Sequence, residues 1–164
     1  MTTTATDHLE TYLQDHRAGA EMGSDLARRL ADENMGTPYE DFLVGLAQEI
    51  DHDVATLEDI MGRLGVSRSV MKTVGAKVGE KIARLKPNDH LTGYSPLSRV
   101  LELEGLRAGV QGKLALWDSL AQIAPHEERL DEAEVAALRD KAERQLADLR
   151  EHHAIAAREA FAEG

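Results

Sequence analysis

Asn34-Met35-Gly36-Thr37-Pro38-Tyr39-Glu40 lies between two long stretches of helical periodicity, and its reading decides the fold. Gly36 suits the left-handed residue that closes a helix. Thr37, followed by Pro38 and by Glu40 three residues on, forms a capping box with proline at the first helical position, where its missing N–H costs nothing. One helix ends and the next begins within a few residues, so the two must pack as an antiparallel hairpin. Working outward, Ser95-Pro96 repeats the start signal, Asp131 with Glu134 gives an Asp variant of the box, and Gly65 supplies another stop. These signals predict helices over about 7–34, 38–64, 68–86, 96–124 and 132–161, with residues 1–6 disordered and 7–164 forming one domain. Four of the helices exceed about 25 residues, or about 40 Å each, the matched lengths that a four-helix bundle requires.

Apolar spacing agrees. Leu9, Leu13, Ala20, Ala27 and Leu30 share one face of the first helix, and Leu43, Leu46, Ile50, Leu57, Met61 and Leu64 share one on the second. Both stripes are candidate core. The fourth segment carries a stripe through Leu103, Leu106, Val110, Leu114 and Trp117, and a second, of small residues, through Gly105, Ala108, Gly112 and Ala115. A helix apolar on two faces is covered on two faces, so the small stripe is expected to be a close helix contact, with the crossover segment or with a second subunit. Between the hairpins, Val70, Val74, Val78, Ile82 and Leu85 alternate with Lys72, Lys77, Lys81, Arg84 and Lys86, the pattern of an amphipathic crossover helix that makes the flanking main helices parallel.

Composition narrows the function. The 164 residues hold 30 acidic against 19 basic side chains, a net charge of −11, which repels nucleic acid and anionic lipid. With no cysteine, disulfides, thiolate metal sites and thiol nucleophiles are excluded, and a cytoplasmic location is expected. No apolar run approaches the length of a membrane span or of a signal-peptide core. No glycine-rich phosphate loop, nucleophile elbow or zinc-protease motif is present.

Two long hairpins joined by a helical crossover resemble the ferritin-like superfamily. The stretches Asp15-His16-Arg17-Ala18-Gly19-Ala20, Gly93-Tyr94-Ser95-Pro96-Leu97-Ser98-Arg99 and Leu101-Glu102-Leu103-Glu104-Gly105-Leu106 are similar to uncharacterised bacterial ferritin-like proteins of actinobacterial type. The resemblance implies an all-α, ferritin-like four-helix bundle with an extra crossover helix between the second and third main helices. It brings no established activity, only an inclination towards metal, oxygen or stress-related roles.

Di-iron members of that superfamily need two Glu-x-x-His pairs and two further carboxylates. Here Glu49-Ile50-Asp51-His52 is one such pair, which chance alone supplies in a Glu-rich chain with seven histidines. His152 and His153 are preceded at three residues by Leu149 and Arg150, so the second pair is missing. His52 also turns about 120° from the Leu46 direction, towards solvent. No metal and no cofactor is therefore expected. A different polar set points inward or to the core edge: His16, Glu49, Asp53, Gln145 and His153, with Glu104 beside the small stripe. Buried charges need partners, so these residues are expected to form a structural network, with His16 paired to Asp53 across the first hairpin. The alternative is a divergent iron or manganese site. Overall the sequence predicts a non-enzymatic bundle that self-associates, with a dimer favoured, or binds a protein partner; a third reading, a carrier of an apolar ligand, rests on the fold alone.

Overall fold

The computed structural model describes residues 4–67 and 93–162. They form four long helices, α1 (Ala5–Glu33), α2 (Glu40–Arg63), α3 (Pro96–Ile123) and α4 (Glu132–Phe161), with a short 3₁₀ turn at Ala124–His126 and no strand among the described residues. The expected crossover helix over 68–86 lies outside the described residues.

Local chemistry sets the ends. Ser95 accepts from the Ser98 N–H, and Asp131 accepts from the N–H groups of Ala133 and Glu134, so both expected caps form. Gly36 and Gly65 take φ of 75° and 73°, the left-handed conformation that only glycine adopts without strain. Two ends differ from expectation. The first helix begins at Ala5, inside the stretch expected to be disordered, because Thr4 and Asp7 cap each other reciprocally. At the second, Thr37 accepts from the Tyr39 N–H while Glu40 reaches back to Gly36, not to Thr37, and the regular helix starts two residues late.

Side-chain pairs fix the directions. Arg17 bonds Glu58 and Ser24 bonds Asp51, so α1 and α2 are antiparallel. Tyr12 meets Ser119 and Arg29 meets Glu102, so α3 is also antiparallel to α1. Hence α2 and α3 run parallel. Asp118 with Arg139 and Glu104 with His153 set α4 antiparallel to α3, and Tyr39 with Glu159 and Arg63 with Glu134 set it antiparallel to α2. The order is up, down, down, up. The described ends of the intervening chain lie at opposite ends of the bundle: Ser67 touches Glu10, while Tyr94 touches Asn34.

Every residue of the α2 stripe is buried, as are Leu13, Ala27 and Leu30 of α1 and Leu103, Leu106, Val110 and Trp117 of α3. The small stripe has no close contact with a described helix, and the crossover segment expected there lies outside the described residues. Ala108 and Ala115 are exposed, and a methyl group placed on Gly112 meets nothing within 4 Å, so no described helix packs closely there. With room for a side chain and a helix-interior position, Gly112→Ala is expected to raise stability by about 0.5 to 1 kcal/mol in thermal or denaturant unfolding. A loss of stability would mean that another surface closes on this glycine.

Candidate functional site

Asp53 is the organising group. It projects from the middle of α2 into the bundle and is only 4% exposed. Lys113 of α3 donates to its Oδ2 at 2.5 Å, and Lys141 of α4 to its Oδ1 at 2.6 Å. Gln145, one turn on from Lys141, accepts from the Lys113 ammonium at 2.5 Å and donates to Glu49 at 2.8 Å and to Asp53 at 3.3 Å. Two carboxylates from α2, an ammonium each from α3 and α4, and one amide thus form a closed network with balanced charge.

Burial pushes the Asp53 carboxyl up, but the two ammonium groups outweigh it and hold it below its ordinary value. Lys113 is lowered, because burial and neighbouring Lys141 outweigh the pull of Asp53.

Of the polar residues singled out in the sequence, the structure brings together Glu49, Asp53 and Gln145. His16 is not in this network. Among the described residues it makes no hydrogen bond to Asp53, and its one ring neighbour is Tyr12, edge-on at 4.4 Å. Its imidazole is lowered by burial, against a weaker opposing pull from Asp15. The expected His16–Asp53 ion pair does not form: the Asp53 carboxylate is met by Lys113 and Lys141, and burial holds His16 towards its neutral form. Glu104 and His153 pair with each other at the α3–α4 seam, away from the network. Arg107 has only donors, so His153 Nδ1 accepts from it at 3.1 Å and the ring proton sits on Nε2, which donates to Glu104 at 3.2 Å. His152 stacks flat on Phe42 with ring centroids 3.6 Å apart, while His52 is exposed.

Lys113 and Lys141 are the members that sequence reasoning missed. Lys113 lies in angular phase with Leu106, Val110 and Trp117, and a lysine inside a core stripe signals a buried partner. No protein-family model, no curated protein and no solved structure matches the chain.

The donor set does not suit an iron or manganese pair. Both Asp53 oxygens are occupied, two cations stand within 2.6 Å of them, and no group of three or more metal-ligating side chains assembles among the described residues. The arrangement is built to neutralise charge.

Two outcomes follow. Asp53→Ala strands two ammonium groups at the centre and is expected to cost about 3 to 5 kcal/mol, whereas combining it with His16→Ala adds the two losses within about 0.5 kcal/mol. Because folding lowers the Asp53 pKa, its contribution is fully present above the ordinary carboxylate range and lost as pH falls through the lowered folded value. The stability gap between wild type and Asp53→Asn should therefore narrow on acidification below about pH 4, measured by urea unfolding across pH.

Proposed function

We propose that the protein is a ferritin-like helical bundle that acts in the cytoplasm by association, with itself or with a protein partner, and not through a di-iron centre. The observation that carries this reading is the Asp53 clamp, which sets lysine ammonium groups where metal chemistry would need open carboxylates. The up, down, down, up order of the helices supports the ferritin-like assignment, since bundles with a single long crossover share it. No described helix is long and apolar enough to cross a membrane.

Exposed apolar side chains at one end of the bundle support the association reading. Met35, Leu97 and Phe161 are 58%, 47% and 67% exposed, and they sit at the α1–α2 turn, the α3 start and the α4 end, all at the same pole. Large apolar side chains gathered at one pole of an acidic molecule are what a protein contact covers.

The deciding experiment combines metal analysis of untagged protein with its mass in solution by light scattering. A defined oligomer, most simply a dimer, with only trace iron and manganese is expected, and Leu97→Ser with Phe161→Ser should lower the mass without lowering the helix content. Stoichiometric iron or manganese, or loss of bound metal on Asp53→Ala, would establish the divergent metal site instead.

A further inference from the structure

Between α1, α2 and α3 lies a groove of about 420 Å³, within the size range of small-molecule sites. Its walls are mainly apolar, with Ile50, Val54 and Leu57 from α2 and Val110 and Leu116 from α3. Glycine keeps it open: a methyl group placed on Gly19 or Gly112, on facing walls, meets nothing within 4 Å.

Two side chains that line this groove carry a hydrogen-bonding group with no partner among the described residues. Trp117 is 1% exposed, and its indole N–H is buried without an acceptor. Such a donor costs free energy unless something supplies an oxygen. The imidazole of His16 makes no hydrogen bond there either. The buried charges that reach the groove are already spent, because Asp53 and Lys113 neutralise each other and burial holds His16 towards its neutral form, while Asp15 is an exposed carboxylate on the rim. Between the apolar walls a charged ligand would lose hydration with no free countercharge, and at the rim Asp15 would repel an anion. A second copy of the chain fits poorly, since the large exposed apolar side chains among the described residues lie at the bundle's pole and the groove's outer rim offers Asp15 and Ala108.

We infer that this groove binds an uncharged, mainly apolar small molecule bearing a carbonyl or similar acceptor oxygen, with the Trp117 indole N–H and His16 as its polar contacts. This goes beyond association at the pole and is tested separately from it.

The probe is prodan, an uncharged naphthyl ketone, titrated into the full-length protein. Trp117 is the only tryptophan, so energy transfer from it to the probe reports this groove. One prodan per chain, with blue-shifted emission and quenched Trp117, is expected. Gly112→Leu and Gly19→Leu, which fill the groove from opposite walls, should each weaken binding at least tenfold while helix content is retained. Trp117→Phe keeps a ring but removes the donor, and should weaken binding severalfold, read from the probe's own emission. The charged analogue anilinonaphthalene sulfonate should bind at least tenfold more weakly than prodan. The inference is overturned if prodan binding does not saturate, if both leucine variants bind as wild type does, or if the sulfonate binds equally well. It is also overturned if prodan fails to bind and Gly112→Leu lowers the mass in solution, which would make a second copy the occupant. Stoichiometric metal in the protein would overturn the association reading and leave this one standing.

Discussion

A carboxylate at the centre of a helical bundle constrains everything around it, because its charge must be met before the surrounding apolar side chains can close. Asp53 is met from two other helices at once, by Lys113 on α3 and Lys141 on α4. Ammonium groups on flexible stems reach only so far, so α2, α3 and α4 are held in one relative rotation and height. Any slip of one helix by a turn would leave a charge buried alone. Aliphatic packing between Leu and Ala faces tolerates several registers, and the ionic network selects among them.

A comparable device works at the pole near the α1–α2 turn. Arg99 of α3 donates to Asn34 at 2.6 Å and lies 4.5 Å over the ring of Tyr39, whose hydroxyl donates to Glu159 of α4. Burial, reinforced by Glu159, pushes the Tyr39 phenol up to about 12, so it remains a donor across the physiological range. The two networks divide the labour: one fixes the middle of the bundle, and the other ties its end together beside the exposed Met35 and Leu97.

The α1–α3 seam is built differently. Gly19 on α1 and Gly112 on α3 remove side chains where two helices would otherwise interlock, and open space remains beside an unpaired indole. Helix-interior glycines weaken a helix, and filled space would be the stabilising alternative. In the sequence Gly112 belongs to a stripe of small residues with Gly105, Ala108 and Ala115, and small residues permit close approach and empty space equally; only the position of the neighbouring backbone separates the two.

By itself the sequence determined the four described helices and the large apolar stripes that they turn inward. Capping groups at Ser95 and Asp131 and the left-handed glycines at 36 and 65 act within a few residues, and the apolar period of α2 needs no partner to be read. It also showed that Asp53 and Gln145 turn inward, because helical phase is a local property. Which groups meet them was a matter for the tertiary structure. Two residues 60 or 88 positions apart touch only if helix heights and rotations agree to within a side chain's reach, and period alone does not carry that information. For that reason hairpin spacing alone predicts Asp53 as the acidic group within reach of His16, whereas the folded bundle brings Asp53 the charges of Lys113 and Lys141 from α3 and α4 and leaves His16 facing the groove.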